Sequence, residues 1–165
     1  QQVWYYGTLV RTAWNDRASG LRSFPQATGT DFYLYDHENG LDDFSTGSRV
    51  AINAFVESSD FDIGDGQQFM LLNRILPDLS FNGSTAANPA ALFTIRSRDF
   101  GGDNFTESPS DSAIRTATSP VEQYTDKIDL RARGRQMSIR VENTAVGVKW
   151  RLGAPRIDVR ADGRR

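Results

Sequence analysis

The C-terminal part of the chain alternates apolar and polar residues with a two-residue period, and that period constrains the fold more than any other feature. In Gln136-Met137-Ser138-Ile139-Arg140-Val141-Glu142 the side chains of Met137, Ile139 and Val141 point one way and their polar neighbours the other. The same spacing runs through Val146, Val148, Trp150 and Leu152, with Lys149 and Arg151 opposite. It returns in Ile157 and Val159, flanked by Arg156, Asp158 and Arg160. Successive side chains of a strand project to opposite faces. The pattern therefore specifies half-buried strands, with one face in a core and the other in solvent or at an interface.

Further strands are predicted at residues 3–10, 31–35, 51–57, 69–72, 79–81, 91–98 and 127–133, and no helix is expected. Turn chemistry separates them: Glu38-Asn39-Gly40, Thr46-Gly47-Ser48, Asp62-Ile63-Gly64-Asp65-Gly66, Asn82-Gly83-Ser84 and Phe100-Gly101-Gly102-Asp103. Many short strands at this spacing predict an all-β chain built as an antiparallel β-sandwich or barrel. Residues 36–48 are acidic and polar with few apolar anchors, which places a break there. Residues 49–165 are then expected to form one β-sandwich domain. Residues 1–48 hold two aromatic strands, around Trp4-Tyr5-Tyr6-Gly7 and 31–36, followed by the acidic linker. Two such strands do not fold stably alone. A long Ser-, Thr-, Asp- and Pro-containing loop is expected over 101–123, as a contact arm or a mobile connection.

Composition removes several chemistries. There is no cysteine, which excludes disulfides, thiolate metal sites and cysteine nucleophiles. His37 is the only histidine, so a multi-histidine metal site is impossible and any Ser-His-Asp arrangement would depend on it. In Asp36-His37-Glu38 it reads as a solvated turn residue. No apolar run reaches the roughly 18 residues needed to span a bilayer. The start, Gln1-Gln2-Val3-Trp4, has the character neither of an initiator nor of a signal peptide, so the natural N-terminus is expected upstream.

Charge is unevenly placed. From Arg131 to Arg165 ten basic residues face three acidic ones, a balance of +7, while the remaining nine basic and eighteen acidic residues give −9. Such polarity suits head-to-tail packing of copies, or a basic face against an acidic partner. The residues expected to form a basic subunit-interface face are Arg131, Arg133, Arg140, Arg151, Arg156 and Arg160. Asp129, Arg131 and Arg133 share one strand face, as do Lys149 and Arg151. Other constellations are weaker. Asp60-Phe61-Asp62-Ile63-Gly64-Asp65-Gly66 lacks the alternating donors and distal glutamate of a calcium loop and reads as a tight connection with Gly64 and Gly66 at positive φ. Glu57, Asp60 and Glu122 could be drawn as paired carboxylates, but spacing in sequence assigns no pair. No Gly-x-Ser-x-Gly or phosphate-binding glycine loop is present. No catalytic residue, metal site or cofactor is expected.

Several stretches resemble one family. Residues 115–125, 131–142 and 147–165, with Arg133-Gly134-Arg135-Gln136-Met137 and Trp150-Arg151-Leu152-Gly153 the most specific parts, are similar to the C-terminus of the tail tube, or nozzle, proteins of short-tailed bacteriophages. Those proteins are also labelled packaged-DNA stabilisation or virion structural proteins. Residues 7–14, 35–40, 57–66 and 83–89 extend the likeness over nearly the whole chain. Members of that family are several times longer, so the chain looks like their C-terminal part. The resemblance implies a non-enzymatic virion tail component forming a ring, a hexamer, beneath the portal and head-to-tail adaptor. It also implies contacts with tail fibres, double-stranded DNA passing through without sequence reading, and a terminal β-sandwich beside a β-propeller whose last blade ends in residues 1–40. Because a conduit must not grip phosphates, the basic strands are expected to face a neighbouring subunit or the exterior more than the lumen.

Two rival readings have their own signals. A carbohydrate- or receptor-binding β-sandwich of a tail fibre would present exposed aromatics, for which Trp4, Tyr5, Trp14 and Tyr124 are the candidates. A polysaccharide- or peptidoglycan-degrading tail enzyme would depend on a carboxylate such as Glu57.

Overall fold

The computed structural model describes residues 9–16, 23–102 and 116–164. Every regular element among them is a strand, paired antiparallel with its neighbours, so the chain is all-β. It divides into two compact units, Gln1–Gly40 with Phe44–Ser48 and Leu41–Asp43 with Arg49–Arg165.

In the first unit, β1 (Ala13–Asn15), β2 (Gln26–Thr28) and β3 (Leu34–Asp36) form a three-stranded sheet. Trp14, Ala27 and Tyr35 stand side by side across it, and the small Ala27 between the two aromatics is buried.

The second unit begins with a two-stranded ribbon, β4 (Asp42–Asp43) and β5 (Val50–Ala51). A four-stranded sheet follows the order β10 (Thr116–Glu122), β9 (Ala90–Arg98), β12 (Gln136–Asn143), β6 (Ala54–Glu57). A three-stranded sheet has β7 (Met70–Leu76) between β11 (Ile128–Gly134) and β14 (Arg156–Ala161). A short ribbon pairs β8 (Leu79–Ser80) with β13 (Arg151–Leu152). The inward rows of the larger sheets meet in one cluster: Ala91, Phe93 and Ile95 from β9, Met137 and Val141 from β12, Met70, Leu72 and Ile75 from β7, and Ile128 and Ala132 from β11. Phe93, Ile95, Met70, Leu72, Ile75 and Met137 are completely buried. Each such side chain contributes about 1.5–3 kcal/mol relative to exposure, so this cluster is what holds the second unit together.

Strand β7 does not keep strict alternation. Leu72 and Arg74 oppose the adjacent pair Val159 and Asp158 on β14, so Asn73 is an extra residue that reverses the parity and sends Ile75 inward. A buried carboxylate fixes the start of the unit. Asp42 Oδ1 accepts from the Gly147 N–H at 2.7 Å, while its Oδ2 lies 3.2 Å from Arg49 Nε.

The strands depart from expectation in several places. Residues 116–122, expected as loop, form β10 along the edge of β9; 103–115 lie outside the described residues. Of the strand expected at 3–10, residues 3–8 lie outside the described residues, and Leu9 and Val10 are not in a strand. The strand expected at 51–57 is divided between β5 and β6, and the one expected at 69–72 runs on to Leu76. Of the alternating run from Val146 to Leu152, only Arg151–Leu152 pairs as a strand.

Candidate functional site: the arginine-bearing sheet face

Cross-strand partners share a face, so register sorts the charges of the three-stranded sheet. Arg133, Leu71 and Arg160 form one row across β11, β7 and β14, and Asp129, Arg74 and Asp158 form another. Arg156, opposite Leu76, continues the same face. All the charged members are exposed, whereas the intervening residues Met70, Leu72 and Ile75 of β7 are in the core. Arg131 lies in a bulge between the Asp129 and Ala132 pairings and is also exposed.

Some of this charge is satisfied locally. Arg133 Nε donates to Asp162 Oδ2 at 2.6 Å, Arg74 Nη2 to Asp158 Oδ2 at 3.5 Å, and Lys127 Nζ lies 3.1 Å from Asp129 Oδ2. Arg131, Arg156 and Arg160 make no ion pair among the described residues. Four of the six arginines expected on a basic face therefore share this surface.

The other two lie elsewhere. Arg151 sits on β13 opposite Ser80. Arg140, on β12, is held by its own chain: Nη1 donates to Glu57 Oε2 at 3.0 Å, Nε and Nη2 reach Glu142 Oε2 at 2.9 and 2.8 Å, and the guanidinium lies 3.9 Å from the Phe55 ring centre. The bonds from Glu142 and then Glu57 raise the Arg140 pKa above its ordinary value. Glu57 Oε1 also accepts from Arg96 Nη1 at 2.8 Å, so one carboxylate bridges two arginines. Beside this network Arg98 is bonded to Asp60.

The carboxylates drawn as a candidate pair are thus engaged separately: Glu57 by Arg96 and Arg140, Asp60 by Arg98, with Glu122 at the far end of the sheet opposite Ala90. Gly64 and Gly66 adopt φ of 69° and 74°, as a tight connection requires. Asp65 Oδ1 accepts from the Gln67 N–H at 3.2 Å. Among the described residues no three His, Asp or Glu side chains converge as a metal-binding set, and no helix is long and apolar enough to cross a membrane.

Of the exposed aromatics named from sequence, Trp4 and Tyr5 lie outside the described residues, Trp14 is 59% exposed and Tyr124 88% exposed. Trp14 packs on His37 with ring centres 4.7 Å apart. His37 Nε2 accepts from Arg11 Nε at 3.1 Å, and the Arg11 guanidinium lies over Tyr35 at 4.2 Å. Tyr35 donates to Asp31; this bond lowers the Asp31 pKa and raises that of Tyr35.

Sequence reading missed one constellation. Arg133 lies 4.0 Å from the Phe69 ring centre, Arg135 lies 4.9 Å from the same ring, and Arg135 is also 5.0 Å from the Phe100 ring centre. Two guanidiniums and two rings thus form a chain of contacts at the β11–β12 connection. The available signal was Arg133-Gly134-Arg135, two like charges around a glycine, but nothing in the sequence pairs it with Phe69 or Phe100. No family model matches the chain, and no curated protein is significantly similar to it.

Proposed function

We propose that this chain is a structural component of a short-tailed phage tail, part of the tube or nozzle ring below the portal and adaptor through which the genome is retained and then released. The observation that carries the reading is the outer face of β11, β7 and β14. Arg131, Arg156 and Arg160 are exposed there without ion pairs among the described residues, while the rest of the chain is strongly acidic. A neighbouring copy could supply the missing carboxylates, and complementary charge of this kind sets orientation and encounter rate. In this reading the two larger sheets are the layers of a β-sandwich, β1–β3 end a propeller blade, and no catalysis is assigned. The resemblance in residues 115–165 supplies the tail context.

Cryo-electron microscopy of particles carrying the chain tests the reading. Density repeated around the tail axis below the adaptor supports it; density confined to peripheral appendages refutes it. In the second case the exposed Trp14 and Tyr124 favour a glycan- or receptor-binding module, for which glycan-array binding by the chain is the check.

A further inference from the structure

The Arg133-Gly134-Arg135 turn has a geometry that subunit packing does not require. Gly134 ends β11 with its backbone pressed against β9: a Cβ there would lie 2.9 Å from Ser97 Cβ and 3.0 Å from the Arg98 carbonyl oxygen. That approach lets the Arg135 N–H donate to the Arg98 carbonyl at 2.9 Å. Arg135 is thereby set between Phe69, which is buried, and Phe100, which is 60% exposed.

Arg135 differs from its neighbours in what it lacks. Arg98 has Asp60 and Arg133 has Asp162. Among the described residues Arg135 has no carboxylate; its one hydrogen bond from the guanidinium is Nη2 to the Arg164 carbonyl at 3.4 Å, and its Nε is buried without an acceptor. Arg135 is only half-buried, and among the described residues its Nη1 has no acceptor, so the end of the guanidinium keeps donors for an incoming oxyanion. Phe100 adds a second element, because Arg135 covers it from one side while most of the ring stays open to a stacking partner.

We propose that this end of the molecule is a nucleotide-binding site, with the phosphate on Arg135 and the base stacked on Phe100. A guanidinium suits the phosphate oxygens, and any base offers a π-face to the ring, so binding would be indifferent to sequence and would prefer unpaired strands. The shared ligand chemistry is a phosphate joined to a base; a free nucleotide and a single-stranded chain are its two sources. The site stands apart from the tail reading: a chain placed on the tail axis could lack it, and a chain found elsewhere could have it.

The test uses the whole chain and a short labelled single-stranded oligonucleotide, read by fluorescence anisotropy over a salt series. Arg135→Ala should lower the slope of log affinity against log salt by about 0.7, the share of one single-strand phosphate contact. Phe100→Ala should weaken binding roughly five- to a hundredfold with the slope unchanged, because it removes stacking and no charge. Lys149→Ala, outside the cluster, should change neither. Arg135→Lys, which keeps the charge but not the planar stack, should preserve the slope with reduced affinity, and it keeps the test valid if the alanine variant fails to fold.

Competition separates the sources. A mononucleotide displacing the probe far better than inorganic phosphate supports a free-nucleotide site; displacement only by unlabelled oligonucleotide supports the chain. Equal displacement by inorganic phosphate and mononucleotide overturns the base contact and with it the proposal. So does absence of oligonucleotide binding, or wild-type affinity and slope in folded Arg135→Ala.

Discussion

Replacing Gly134 by alanine tests whether the β11–β12 connection is built on backbone contact. The added methyl would meet Ser97 Cβ at 2.9 Å, the Arg98 oxygen at 3.0 Å and the Arg98 nitrogen at 3.1 Å. Two of these are main-chain atoms of β9, whose register with β12 is continuous from Arg98 to Leu92, so the neighbour cannot yield without disturbing paired strands. Forcing extra volume into such a site costs about 1–3 kcal/mol. Loss of glycine's freedom in the unfolded chain offsets this by about 0.4–1 kcal/mol. The net expectation is destabilisation of up to about 2.6 kcal/mol, a fall in Tm of up to roughly 10 °C for a chain of this size. Gly102→Ala is the matched control, since a Cβ there meets nothing within 4 Å among the described residues and its φ is not positive; it should be neutral or slightly stabilising. Urea unfolding followed by circular dichroism should show a lower midpoint for Gly134→Ala at unchanged m. Equal midpoints for the two variants would refute the close-approach reasoning.

Three further outcomes are expected. Asp42→Ala removes the acceptor of the Gly147 N–H and the partner of Arg49 from a buried position and should cost about 1–3 kcal/mol in urea unfolding, while Asp42→Asn, which keeps an acceptor oxygen, should cost less. Glu57→Gln leaves Arg96 and Arg140 as neighbouring cations without their shared carboxylate, so stability should fall and should recover with added salt; a salt-independent loss would contradict the bridging role. Tyr35 donates to Asp31, so its folded pKa is raised and the contribution of this bond, present below the ordinary phenol range, is lost as pH rises through the raised value; Tyr35→Phe should remove one tyrosinate step above the ordinary phenol range in an absorbance titration. The same bond holds the Asp31 pKa down, so its acid-side loss comes as pH falls below the ordinary carboxylate range.

What the sequence disclosed depended on whether one face of a strand alone was buried. β12 was legible because Met137 and Val141 enter the core while its other face is polar throughout, with Arg140 and Glu142 half-buried and Ser138 buried. The turn glycines were legible too: Gly40, Gly47, Gly64, Gly66 and Gly83 all take positive φ. β10 was hidden because it is an edge strand with only Val121 fully buried, and Pro120, which cannot donate to a ladder, is tolerated at an edge. In Val146–Leu152 the alternation was real, since Val148, Trp150 and Leu152 do pack on the core. Gly147, however, turns at φ 75° and gives its N–H to Asp42 instead of a neighbouring strand, so no ladder forms there. A contact made over 105 positions of sequence leaves no local trace.

The arginines show why a charge balance of +7 could not delimit a site. Their environments separate them into three kinds. Arg140 is held by two carboxylates and a ring of its own chain, so an acidic partner would have to displace bonds already made. Arg133 and Arg135 are stacked on aromatic rings, which fixes their orientation before any ligand arrives. Arg131, Arg156 and Arg160 stand exposed on one sheet face, where each carries a hydration shell and a full complement of rotamers. Surface pairing of such groups contributes only about 0–1 kcal/mol each, so this face would steer and orient a partner more than grip it. Affinity should concentrate at Arg135, whose ordering cost was met during folding and which has no carboxylate partner among the described residues.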